Sequence, residues 1–252
     1  MIYLSWINTQ EWIRLKFFQI IFFLAFLFVL FSYLLGSLSF AEQQRLLIDL
    51  GLATIEISLI FISAFFSTHS LHRDIERKTI LLLLSRPLPR WKIIGAYFLS
   101  LATLNFVSLV VLGFTLYLII DSLNQSFSFI LSLIVIFLKA SVIASFGFLF
   151  SVLSRPMISF VLTITYWLAS YSIQDVLYFV KKMNDQSSFF LIFEKSARYI
   201  FPQFYLYNWK NYSFVKSIPM VSDIQLASFQ LVSWIMLFLI LTSLAFQRKE
   251  IV

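Results

Sequence analysis

Six long apolar stretches leave this chain few ways to fold. They cover about residues 17–38, 50–68, 93–120, 127–153, 157–180 and 226–246, and Glu56 and Lys139 are the charges deepest within them. Roughly 20 apolar residues cross a bilayer's hydrocarbon as a helix, and in lipid a helix satisfies every backbone polar group within itself. The expected fold is an all-α integral membrane protein, six transmembrane helices forming one domain over residues 1–252. Composition agrees, because only 12% of the residues are charged, against about 25% in soluble domains. There is no cysteine, which excludes disulfides, thiolate chemistry and cysteine-based metal sites.

The segments between the spans are read from their polarity. Residues 1–16 mix Trp6, Ile7, Trp12 and Ile13 with Glu11, Arg14 and Lys16, as an amphipathic helix lying along the membrane face would. The first span is too long for the apolar core of a signal peptide, and no basic residue precedes Arg14, so it is read as retained. Residues 181–225 form the longest polar segment. Its part 189–212 is dense in Phe, Tyr and Trp but holds Glu194, Lys195, Arg198, Pro202 and Lys210, and is read as an aromatic belt at the interface.

Six spans put both termini on one side. That side carries Arg14, Lys16, Arg73, Arg77, Lys78, Arg86, Arg90, Lys92, Arg155, Arg248 and Lys249, and the other Arg45 and six basic residues of 181–225. The short loops point to cytoplasmic termini, and the long segment dissents. The net charge of +7 reads as this loop bias and not as nucleic-acid binding.

Residues 69–92 hold the densest charge in the chain. Asp74 and Lys78 are spaced to support a helix, while Arg73 and Arg77 set like charges on one face. Ile80 to Leu84 are apolar but too few to span a bilayer, and Pro87 and Pro89 end the helix. Two readings stay open: a basic loop that fixes orientation, or a docking helix whose apolar middle packs on a partner.

Enzyme signatures are missing from the sequence. None of Gly36, Gly51, Gly95, Gly113 and Gly147 precedes a lysine, so there is no P-loop and the chain cannot hydrolyse ATP alone. His69 and His72 stand three apart with no second pair, and are read as two loop histidines, not metal ligands. No G-x-S-x-G nucleophile motif occurs. An unpaired charge at a helix centre costs about 2.5–3.5 kcal/mol, so Glu56 and Lys139 face the bundle interior or a partner. They form either an ion pair joining two spans or the polar lining of a transport path. Asn105 and the Ser and Thr residues of the spans are read as interhelical glue.

The run Arg73-Asp74-Ile75-Glu76-Arg77-Lys78-Thr79, four leucines after Ile80, then Ser85-Arg86-Pro87-Leu88-Pro89-Arg90 resembles the segment after the second span in permeases of the ABC type-two exporter family. The layout of a surface helix, six spans and a larger segment before the last is similar too. Lys78 departs from the pattern, since the family commonly has glycine there. The resemblance implies a cytoplasmic coupling helix that docks into a separate ATPase subunit. Arg73, Asp74, Glu76, Arg77, Lys78, Thr79, Ser85, Arg86, Pro87, Pro89 and Arg90 would register that docking, and Leu82 and Leu83 would fill the cleft. It further implies two ATPase chains carrying ATP and Mg, no cofactor in this chain, a second permease chain (a homodimer), and a bacterial cytoplasmic membrane. Within the family the run looks closest to permeases linked with metalloenzyme maturation; a lipid, glycan, peptide or drug is equally open as substrate. The alternatives are an ATP-independent transporter and a membrane scaffold that recruits a cytoplasmic assembly factor.

Overall fold

A computed structural model describes residues 2–37, 43–76, 89–120, 126–182, 201–207 and 221–248, and among these there is helix but no strand. The elements are α1 (Ile2–Arg14), α2 (Lys16–Ser37), α3 (Gln43–Glu76), α4 (Arg90–Ile119), α5 (Ser126–Leu153), α6 (Pro156–Lys182), a single 3₁₀ turn (Phe204–Tyr207) and α7 (Val221–Arg248). Six of them, α2 to α7, are long and apolar enough to cross a membrane.

Local chemistry explains where these helices stop. One residue, Leu15, joins α1 to α2, with its N–H bonded back to Trp12 O at 3.1 Å and its carbonyl taken by Gln19 N at 3.2 Å. Pro156 opens α6 at the first helical position, where its missing N–H costs nothing. Pro89 precedes α4 in an extended conformation, φ −66° and ψ 140°, as its ring dictates. Between Leu52 and Arg86 there is neither Pro nor Gly, and α3 runs unbroken for 34 residues. At 1.5 Å per residue that is about 51 Å, well beyond a hydrocarbon core of about 30 Å. His69 and His72 therefore lie on a helix and not in a loop, which corrects the sequence reading. That reading ended the second span at the rise in polarity, and polarity alone does not stop a helix.

The pair α3 and α5 forms the centre of the bundle, with 61% and 67% of their apolar windows enclosed, against 22% for α2 and for α7 and 28% for α6. The outer helices present Phe23, Leu27, Met157, Val161, Phe229 and Met236 outward, a surface suited to lipid and not to water. Helices in lipid gain nothing from hiding apolar area, so they associate through close packing of small residues and through hydrogen bonds. The α3–α5 seam follows that rule where Ser67 and Thr68 on one side meet Gly147 and Ser151 on the other. Ser151 Oγ donates to Thr68 O across it at 3.0 Å.

Gly147 sets the approach of the two helices. A Cβ there would lie 2.9 Å from Ser67 Cβ and closer still to Ser67 Oγ. Gly147→Ala is therefore expected to cost about 1–3 kcal/mol in reversible unfolding in mixed micelles, the usual penalty of overpacking. Ser67→Ala in the same chain should return part of that loss, and a Gly147→Ala protein as stable as the native one would contradict the seam.

Candidate functional site

Two places in the bundle gather charged and polar side chains. The first lies inside the membrane-spanning part. Glu56 on α3 and Lys139 on α5 are 3% and 1% exposed, and the ammonium stands 3.1 Å from Glu56 Oε1. Tyr171 on α6 completes the group: Lys139 Nζ donates to its hydroxyl at 2.7 Å, and that hydroxyl donates in turn to Glu56 Oε1. The ammonium also sits 5.0 Å from the Tyr171 ring centroid, within reach of its π face. Three helices are thus pinned by one polar cluster in an apolar setting, where charges persist only when faced by partners.

Asn105 on α4 adds a smaller tie, donating through Nδ2 to Ser63 Oγ on α3 at 2.7 Å. Its Oδ1 is buried without a hydrogen-bond partner among the described residues. Of the aromatic segment before α7, residues 201–207 are described. Phe204 and Tyr207 there are buried in the bundle core, Phe204 beside Tyr171 at 5.9 Å between centroids. Tyr207 hydroxyl donates to Gln230 Oε1 on α7.

The second place is the end of the bundle where α3 stops and α4 starts. Arg73 donates to Glu11 Oε1 on α1 at 2.8 Å. Asp74 takes the hydroxyl of Tyr97 on α4. The His72 ring bridges Ser151 O on α5, at 3.2 Å, and Glu76 Oε1, at 3.0 Å. On the far side of the loop, Arg90 donates to Phe246 O at 3.0 Å and Gln247 O at 2.9 Å, closing carbonyls that the end of α7 leaves open. Its guanidinium also lies 5.8 Å from the Phe246 ring centroid. Pro89 is exposed at the start of α4. Arg77, Lys78, Thr79, Leu82, Leu83, Ser85, Arg86 and Pro87 lie outside the described residues.

Of the residues singled out in the sequence, Glu56 and Lys139 are brought together, and Arg73, Asp74, Glu76 and Arg90 are each engaged with another side chain or carbonyl of the bundle. Tyr171, Tyr97 and Glu11 were missed. Two tyrosines among eleven carry no local mark, whereas Glu11 was visible as the acid of the first helix. Among the described residues no three His, Asp or Glu side chains gather as a metal site would need.

No protein-family model matches the chain, and no curated protein matches it. The geometry of the two clusters and the resemblance of the charged run carry the functional reading.

Proposed function

We propose that this chain is the permease subunit of an ABC exporter, moved by a separate cytoplasmic ATPase that docks on the run from Arg73 to Arg90. One observation carries the reading: the two ends of the exporter-like run, Arg73 and Asp74 on α3 and Arg90 on α4, together with the adjoining His72, are bonded to α1, α4, α5 and α7. A displacement of the docked segment would therefore reach four other helices through short polar links, besides the rigid rod of α3 itself. A basic loop whose only task is orientation needs none of those links.

In this reading two copies of the chain form the pathway and two ATPase chains bind beneath it, holding the ATP and Mg that this chain does not bind. Nucleotide binding draws the ATPases together, favours one of two arrangements of the docked segment, and so biases the spans. The membrane is the bacterial cytoplasmic membrane, with both termini and residues 69–92 in the cytoplasm and 181–225 outside; α1 lies along the inner interface. Reporter fusions after Lys16, Arg90 and Lys249 are expected to read cytoplasmic, and those after Gln44 and Ser213 external. A cytoplasmic reading at Ser213 would break the six-span arrangement.

The deciding experiment is purification from the native membrane in mild detergent. The chain alone should hydrolyse no ATP and should bring down a soluble ATPase in equal number. Recovery without an ATPase, together with transport that ignores ATP, would replace the exporter by an ATP-independent transporter.

A further inference from the structure

The tetrapeptide Leu-Ser-Arg-Pro occurs twice in this chain. Leu84-Ser85-Arg86-Pro87 lies in the exporter-like run and is followed by Leu88; Leu153-Ser154-Arg155-Pro156 lies between α5 and α6 and is followed by Met157. The chain has only five prolines, so the repeat does not come from a proline-rich composition. The second copy falls among the described residues. There α5 ends at Leu153 and α6 opens at Pro156, which leaves Ser154 and Arg155 as the whole connection.

Short hydrogen bonds fix this turn on its own helices. Ser154 N–H donates to Phe150 O at 2.8 Å, Ser159 Oγ donates to the same carbonyl at 2.8 Å, and Ser159 N–H donates to Arg155 O at 2.9 Å. What the turn presents outward is Leu153 and Met157, 63% and 74% exposed, with the exposed Arg155 between them. No carboxylate of the described residues lies within ion-pair distance of Arg155. The turn also stands beside the start of the exporter-like run. Ser151 O meets the His72 ring at 3.2 Å, and Pro156 lines a cleft with Arg73 and Glu76.

We infer that Leu153 to Met157 is a second docking point for the cytoplasmic ATPase, an inference that rests on the exporter reading. The surface it fits is a carboxylate with apolar walls. A guanidinium takes a carboxylate through two parallel N–H bonds, and the unbranched Met157 adapts to an apolar wall beside it. Arginine and methionine are also the side chains that protein interfaces favour, whereas lysine is depleted there. A turn that only marks the cytoplasmic side needs a cation, and a lysine would serve. It does not need the leucine, serine and proline that surround Arg86 to surround Arg155 as well.

Photo-crosslinking in native membranes tests this with the full chain. A benzophenone side chain in place of Met157 should crosslink to a soluble subunit whose peptides contain a P-loop, as should one in place of Leu83. One in place of the exposed Leu168, about 16 Å further along α6, should not. In detergent, Arg155→Glu should lower recovery of the ATPase by roughly tenfold, the effect of one well-placed charge pair. Arg248→Glu, an equal change of charge at an exposed position on the end of α7, should leave recovery unchanged. The crosslinks are made with Arg155 intact, so misfolding of the Arg155 variant would not imitate their loss. Crosslinks to the ATPase from position 83 but only to lipid from position 157 would overturn the second docking point and leave the exporter standing. Equal crosslinking from positions 157 and 168, or equal losses in Arg155→Glu and Arg248→Glu, would overturn it too. No ATPase from either position 83 or position 157 would remove the exporter reading and this inference with it.

Discussion

Lys139→Met is expected to destabilise the bundle by about 3–5 kcal/mol, because the Glu56 carboxylate loses the cation facing it where water cannot replace it. The lysine is 1% exposed and its ammonium lies 3.1 Å from Glu56 Oε1, so the two are not screened as surface charges are. Glu56→Gln alone should cost a similar amount by stranding the ammonium. The double variant Glu56→Gln with Lys139→Met should recover most of the loss, since replacing both members of a buried pair by uncharged groups is often close to neutral. Tyr171→Phe should cost about 1–3 kcal/mol in the native background, the price of taking a hydrogen bond from buried partners, and less in the double variant. Reversible unfolding in mixed micelles measures all four. Losses that simply add would mean that the three side chains act apart.

The same cluster separates what could be read in the sequence from what could not. Two isolated, opposite charges in otherwise apolar spans must find each other or pay for burial, and that demand is local to each residue. Tyr171 answers a different demand. Its hydroxyl must be satisfied once buried, but nothing in its neighbours marks it against the other tyrosines, and its place beside Glu56 follows only from how α6 packs on α3. The six spans were legible because each alone is long and apolar, and the described residues hold six such helices. The continuation of α3 to Glu76 was legible too, in the absence of Pro and Gly between Leu52 and Arg86, but rising polarity masked it.

The flanks of the charged run were less legible for a related reason. Arg73 and Asp74 look like a solvated surface pair when seen alone. Their partners Glu11 and Tyr97 are 62 and 23 residues away along the chain, beyond any helical spacing. In the fold Arg73 is bonded to Glu11 on α1 and Asp74 to Tyr97 on α4.

Replacing Leu82 and Leu83 together by Asp should abolish recovery of the ATPase at any salt concentration. The apolar middle of the run can dock only by leaving water, and each leucine so buried contributes about 1.5–3 kcal/mol. Loss of both weakens the complex by roughly 10²- to 10⁴-fold, at about 1.4 kcal/mol per tenfold. Reversing Arg77 and Lys78 to Glu should behave differently. Exposed charges steer association and are screened over about 10 Å at 0.1 M salt, so that variant should lose the ATPase at low salt far more than at high salt. Arg73 is left unchanged in it, because its guanidinium is committed to Glu11 and its reversal would disturb the fold. Neither variant alters one of the six apolar spans, so expression and monodispersity should match the native chain. If both variants still bring down the ATPase and transport proceeds, residues 77–88 only orient the chain, and the links from Arg73, Asp74 and Arg90 serve the bundle alone.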